Sequence, residues 1–287
     1  MTDKEVWTTL KTLTWTKEFF LSKGIVNARL EAEWLLCAVT GLDRVGLYLQ
    51  FDKPLNESEL AEYRVKVARR AKREPLQHIL GSQDFFGLDY EVTADVLVPR
   101  HETEVLVSEA FMRHPQAATI LDIGTGSGCI AVALKKLFIE AAVTATDISE
   151  AALVVARRNA EKFGVAIEFL AGSLFTPIAG RSFDLIVSNP PYIPSAEIEL
   201  LEPEVRDYDP RLSLDGGKDG LDIYRELIPG AVACLKPGGW LLVEIGAGQA
   251  EDVAQLYNNT ACFTEPDVSS DSAGIVRVVG AQIKDRP

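Results

Sequence analysis

At 287 residues, 47% hydrophobic and 25% charged, the chain exceeds the usual single core of roughly 100 to 150 residues and reads as one large domain plus a smaller one. Its net charge of −13 is uneven: residues 1–80 carry 13 Lys+Arg against 11 Asp+Glu, a balance of +2, and residues 81–287 carry 16 against 31, a balance of −15. An acidic larger domain repels a phosphate backbone, so neither DNA nor RNA is expected as the substrate.

No apolar run reaches the roughly 18 residues that a membrane helix needs. Residues 1–5 are acidic rather than basic-then-apolar, which argues against a leader peptide. Cys37, Cys129, Cys234 and Cys262, with His78, His101 and His114, show no metal-ligand spacing. A cytoplasmic, monomeric protein with reduced thiols and no metal is expected.

Residues 1–75 read as a small helical bundle. Val6, Leu10 and Leu13, Trp7, Trp15 and Phe19, then Leu30, Trp34, Leu35 and Ala38 recur near helical spacing, and the tryptophans are expected in the core. Asn56-Glu57-Ser58-Glu59 has the form of a capping box, followed by the apolar stripe Leu60, Tyr63, Val67. The same helix carries Arg64, Lys66, Arg69, Arg70, Lys72 and Arg73. That face is either simply solvated or a contact patch for a large acidic or nucleic-acid-associated partner. Pro75 breaks the helix, and residues 76–95 read as a linker holding a β-hairpin that turns near Gly87.

Residues 96–287 change pattern. Short apolar, often β-branched runs at 119–123, 143–146, 167–170, 183–188 and 240–244 alternate with helical segments such as 151–163. This predicts an α/β fold: a Rossmann-like, doubly wound, mostly parallel sheet with helices on both faces. Such sheets bind ligands beyond the carboxyl ends of their strands, where strand order reverses.

Directly after the first of these strands comes Asp122-Ile123-Gly124-Thr125-Gly126-Ser127-Gly128. Glycines let a backbone turn sharply and approach a ligand closely. Residue 129 is Cys, so the dinucleotide pattern G-x-G-x-x-G is absent, and no Lys-Ser/Thr follows to make a phosphate loop. Asp147 falls at the end of the second strand, where a carboxylate accepts hydrogen bonds from ribose hydroxyls. Together these favour a nucleoside-type cofactor, S-adenosylmethionine ahead of NAD.

The fourth strand runs into Asn189-Pro190-Pro191-Tyr192. Both prolines have fixed φ, and Pro190 holds Asn189 extended, giving a stiff loop. The Asn189 side-chain oxygen and the Pro190 carbonyl then face one point, and two acceptors orient both hydrogens of a planar –NH2. An amide or aniline-like nitrogen is a poor nucleophile, and alignment supplies much of the acceleration it needs. Tyr192 is expected to stack on the flat acceptor and exclude water. Asn189, Pro190 and Tyr192 are thus the expected catalytic residues.

The chain also resembles the protein-(glutamine-N5) methyltransferases that modify peptide-chain release factors, the HemK/PrmC family. The resemblance runs through Gln77-His78-Ile79-Leu80-Gly81, Phe85-Phe86-Gly87-Leu88 and Val98-Pro99-Arg100-His101-Glu102-Thr103-Glu104. It continues through the glycine loop, Ser188-Asn189-Pro190-Pro191-Tyr192-Ile193, Tyr208-Asp209-Pro210-Arg211, Leu214-Asp215-Gly216-Gly217 and Asp219-Gly220-Leu221. It implies a class I methyltransferase domain behind an N-terminal domain that docks on the release factor. The implied acceptor is the glutamine of the Gly-Gly-Gln motif of class 1 release factors, and the implied product is S-adenosylhomocysteine. It also implies cofactor contacts from Gly124, Thr125, Gly126, Ser127, Gly128, Asp147, Leu174 and Asn189, and substrate contacts from Asn189, Pro190, Pro191 and Tyr192. The chain departs from the family at His101, usually Pro, and at Ser173, often Asp. Arg100 and Glu102 either position the cofactor side or form an ion pair. The tetrapeptide alone also resembles adenine-N6 methyltransferases; the longer combination does not.

Overall fold

A computed structural model describes residues 6–284, so the acidic stretch at 1–5 lies outside the described residues. The chain forms two compact units. The first is the chain up to Gly81 together with Glu202–Tyr208; the second is Ser82–Leu201 and the chain from Asp209 onward.

The first unit contains α1 (Thr9–Ser22), α2 (Ala28–Thr40), α3 (Arg44–Leu49), α4 (Glu57–Arg70) and α5 (Leu76–Leu80). The capping box forms: Asn56 Oδ1 accepts from Glu59 N at 2.9 Å, and Glu59 Oε2 accepts from Asn56 N at 2.8 Å. Leu13, Phe20, Ala32, Leu35, Leu36, Tyr63 and Val67 make the core. None of the three expected core tryptophans is in it: Trp7 is partly buried outside this cluster, and Trp15 and Trp34 are 50% and 45% exposed. For Trp34 the reason is visible on α2, which has two apolar faces. It buries the one bearing Ala28 and Ala32, whose small side chains let neighbouring helices approach, and leaves Leu30, Trp34 and Ala38 in solvent.

The second unit opens with β1 (Ser82–Phe85) and β2 (Leu88–Glu91), a hairpin closed by Phe86-Gly87. Phe85 and Tyr90 are fully buried in the main core of this unit, so the hairpin is packed into the second unit. Then follow α6 (Glu104–Arg113), β3 (Thr119–Ile123), α7 (Cys129–Leu137), β4 (Ala142–Asp147), α8 (Glu150–Lys162), β5 (Glu168–Ala171) and β6 (Phe183–Ser188). The short α9 (Pro203–Arg206) belongs to the first unit; α10 (Asp222–Cys234), β7 (Leu235–Glu244), α11 (Ala250–Thr260), β8 (Asp267–Ser270) and β9 (Val276–Gln282) complete the second.

Seven strands form one sheet in the order β5-β4-β3-β6-β7-β9-β8, parallel through β7 and antiparallel in the last two pairings. Alternate residues of each strand point to opposite faces. Ile120, Leu185, Val187 and Leu242 therefore pack in one apolar layer, and Leu121, Ile123, Ile186, Leu241 and Val243 in the other. The doubly wound α/β fold expected from the sequence is the fold of this unit.

The basic run of the first unit is largely committed to internal pairs. Arg69 pairs with Glu74, Arg73 with Glu202 and Glu204, and the buried Arg70 with both Glu31 and Glu204. Arg64 and Lys72 are exposed and have no ion-pair partner among the described residues. Arg70→Ala leaves the partly buried Glu31 without its cation and Glu204 with Arg73 alone. It is expected to destabilise this unit by about 3 kcal/mol, read as a lowered midpoint in urea.

Candidate active site

Strand register assembles the site. Ile123 on β3 lies opposite Thr146 on β4 and Ser188 on β6, and Ser188 lies opposite Val243 on β7. The next residue of each strand therefore falls in one row along the carboxyl edge: Asp147, Gly124, Asn189, Glu244. Chain order reverses between β3 and β6, so this row straddles the switch point where such sheets bind ligands.

On the β3 side, Gly126 N donates to Asp147 Oδ2 at 2.9 Å and Ser149 N to Oδ1 at 2.8 Å. Each carboxylate oxygen keeps a lone pair for a further donor. Burial raises the Asp147 pKa, against the backbone hydrogen bonds that lower it. Gly128 has φ +80°, and a Cβ there would lie 3.0 Å from Ala156 Cβ, so only glycine lets α7 start against α8. Thr125 Oγ1 donates to Asp122 Oδ2 at 2.6 Å, while the buried Asp122 Oδ1 has no partner among the described residues. Burial pushes the Asp122 pKa up to about 7.

Leu174 sits half-buried in the turn after β5, with φ +46°, and Gly172 N donates to Asp147 O at 2.9 Å, tying that turn to the end of β4. Thr125 and Ser127 are buried, and Gly124 is exposed at the row. A glycine loop, a carboxylate with free lone pairs and an orphaned buried carboxylate oxygen fit a cofactor with ribose hydroxyls and an ammonium group. Asp147→Ala is expected to raise the cofactor Kd by roughly tenfold, the worth of one lost charge-assisted hydrogen bond. Titration calorimetry measures it.

On the β6 side, Ser188 Oγ donates to Ile123 O at 2.8 Å and locks the two loop-bearing strands together. Asn189 is half-buried and its Nδ2 donates to Thr103 Oγ1 at 3.2 Å. Pro190 is buried; Pro191 and Tyr192 are partly open. Burial lifts the Tyr192 hydroxyl to about 12, so it stays protonated at neutral pH.

The loop is braced from behind. Gln249 Nε2 donates to Tyr192 O at 3.0 Å, Ile193 N to Leu214 O at 3.0 Å, and Gly216 N to Ile193 O at 2.9 Å. Gly220, at φ +78°, approaches the Tyr192 carbonyl so closely that a Cβ would overlap its oxygen.

Arg100 Nη2 donates to Asp209 Oδ2 at 2.8 Å, so its ion pair is with Asp209 and not with the exposed Glu102. Burial carries the Asp209 pKa to about 6 in spite of Arg100. His101 is exposed, its Nδ1 3.4 Å from Glu104 Oε1. Nothing in the sequence alone marks Thr103, Glu244 or Gln249 as site residues, save that Glu244, like Asp147, is a carboxylate at the carboxyl end of a strand.

Two family models match the chain: the PrmC N-terminal domain over residues 11–81 and the methyltransferase small domain over residues 101–201. The release factor glutamine methyltransferase of Geobacter sulfurreducens is 58% identical over 287 residues, covering 99% of this chain and 100% of that protein. The protein of the same name from Moorella thermoacetica is 43% identical, covering 88% and 90%. Among solved structures, a methyltransferase from Pyrococcus furiosus superposes with a TM-score of 0.52 at 22% identity, over 70% of this chain and 91% of that one.

Proposed function

Since the chain belongs to the release factor glutamine methyltransferases, we propose that it transfers the methyl group of S-adenosylmethionine to the side-chain amide nitrogen (N5) of the glutamine in the Gly-Gly-Gln motif of class 1 release factors. The observation that carries this reading is the register of β3 and β6, which places the glycine loop and Asn189 side by side in one row. When bound, the cofactor supplies an electrophilic methyl on a sulfonium. Gly124 through Gly128 give it a backbone cradle, Asp147 accepts from its ribose hydroxyls, and Leu174 packs beside its base.

Asn189 Oδ1 and the Pro190 carbonyl accept the two hydrogens of the glutamine –NH2. That aims the nitrogen lone pair at the methyl group and stabilises the positive charge that builds on nitrogen. Transfer would form the N–C bond as the S–C bond breaks, leaving S-adenosylhomocysteine, and the nitrogen would then release a proton to solvent to become the neutral methylamide. Tyr192 covers the flat acceptor and excludes water. Every residue of this site comes from one chain, so a monomer suffices, and no described helix is long and apolar enough to cross a membrane. We place the reaction in the cytoplasm, where release factors work.

The N-terminal unit supplies the docking surface for the body of the release factor. With Arg69, Arg70 and Arg73 held in internal pairs and Lys66 beside Glu62, the cations of this run left for a partner among the described residues are Arg64 and Lys72. Arg64→Glu with Lys72→Glu is expected to raise the KM for intact release factor several-fold and to leave kcat unchanged; an unaltered KM would return these residues to a merely solvated face. The reaction itself is tested by offering labelled S-adenosylmethionine with release factor, its glutamine-substituted variant and an adenine-containing oligonucleotide. Label is expected in the first alone. Transfer to the oligonucleotide would favour amino methylation of a nucleobase, which the −15 balance of residues 81–287 opposes.

A further inference from the structure

Glu244 ends β7, next in the row to Asn189, and is 2% exposed. Asn189 Nδ2 donates to Thr103 Oγ1 at 3.2 Å, the Glu244 carboxyl at the end of the neighbouring strand stands beside both side chains, and its Oε2 has no hydrogen-bond partner among the described residues. A buried carboxylate costs far more than an apolar residue of similar size, and nothing in the packing of the sheet calls for one here.

An asparagine side chain is nearly symmetrical in shape, so packing alone does not decide whether its oxygen or its nitrogen faces the acceptor. Only the oxygen is useful, because the glutamine –NH2 has hydrogens to donate. An ionised carboxylate only accepts and a hydroxyl can accept as well, so the pair draws the Asn189 nitrogen inward. We propose that Glu244, acting with Thr103, is the positioning residue of this site: the two occupy the hydrogens of Asn189 Nδ2 and so present Oδ1 to the acceptor. This rests on the glutamine-methylation reading above.

A consequence follows for pH. Protonated Glu244 has a hydrogen of its own to donate, and it no longer discriminates between the two ends of Asn189. Burial pushes its pKa up to about 7, against the hydrogen bonding of Thr103 and Asn189 and the charge of Arg277, which lower it, while Glu102 raises it. The other groups facing it are the neutral hydroxyls of Tyr192 and Tyr224 and the buried Cys129 thiol. The orienting form is therefore the one above that pKa, and it is lost as pH falls.

The test follows the Asn189 side-chain amide by NMR, identified by its disappearance in Asn189→Ala, alongside kcat for release factor from pH 5.5 to 9. In the wild type the amide signals are expected to titrate near pH 7, and kcat to fall on the acid side with the same midpoint. Glu244→Gln is expected to remove both transitions and to lower kcat at pH 8 by about a hundredfold, the effect of a misplaced reacting group. Thr103→Val should lower kcat in the same direction and Thr103→Ser should restore it, at unchanged cofactor affinity. Wild-type amide signals that do not move with pH, or a Glu244→Gln enzyme with wild-type kcat and an intact acid limb, would overturn the inference. A titrating amide in a protein that fails to methylate release factor would instead uphold the contact and sink the glutamine reading.

Discussion

Asn189→Ala is expected to lower kcat by about a thousandfold, the upper range for removing one preorganised hydrogen-bonding group from a reacting centre. The S-adenosylmethionine Kd is expected to change only a few-fold. The split follows from the row at the sheet edge. Asp147 and the glycine loop lie on the β3 and β4 side, and their hydrogen bonds to one another do not involve Asn189. On the proposed reading, loss of the Asn189 oxygen would leave the Pro190 carbonyl as the single acceptor, so the –NH2 would rotate and its lone pair leave the line of transfer. Stopped-turnover assays and calorimetry on one preparation separate the two quantities. Parallel losses would assign Asn189 mainly to the cofactor.

Gly220→Ala is the second large effect. Gly220 is far from the reacting atoms in sequence, yet an added methyl there overlaps the Tyr192 carbonyl oxygen, which belongs to backbone and cannot swing aside. The residue also has φ +78°, where a side chain costs about 1 kcal/mol or more. Either the acceptor loop shifts or the 214–220 segment does, and the Gln249 bond to Tyr192 O goes with it. A shift of about 1 Å in a reacting group is worth about a hundredfold in rate. The expected outcome is a kcat loss of that size with the melting temperature lowered by only a few degrees. A variant with normal kcat would show that the brace behind the loop is not needed for its geometry.

Much of this fold was legible before any coordinates. β3 and β6 begin and end where their apolar runs do, because both are central strands buried on two faces and each runs straight into a loop, at Gly124 and at Asn189. The capping box at Asn56 was legible for a local reason, both partners lying within four residues. β8 and β9 were not: they are antiparallel and joined without a helix, so the strand-helix alternation that marked the others was missing. The exposure of Trp15 and Trp34 was hidden because helical periodicity shows that a face is apolar, and not which of two apolar faces finds a neighbour.

In the site, Asn189, Asp147 and the glycine loop announce themselves by type and by position after a strand. Their supports do not. Thr103 and Gln249 lie 86 residues before and 60 after Asn189 and act through side-chain contacts that only the folded chain creates. Arg70 and Arg73 looked like surface charge because Glu204, their shared partner, is more than 130 residues away.

The most direct test of the central claim, that Asn189-Pro190-Pro191-Tyr192 presents a glutamine amide to the methyl donor, is to locate the transferred methyl. Release factor treated with the wild-type enzyme, and with Asn189→Ala, would be digested and the Gly-Gly-Gln peptide sequenced by tandem mass spectrometry. The expected result is one added methyl on the glutamine side chain in the wild-type sample and an unmodified peptide with the variant. A methyl on any other residue, or the same modification in both samples, would contradict it.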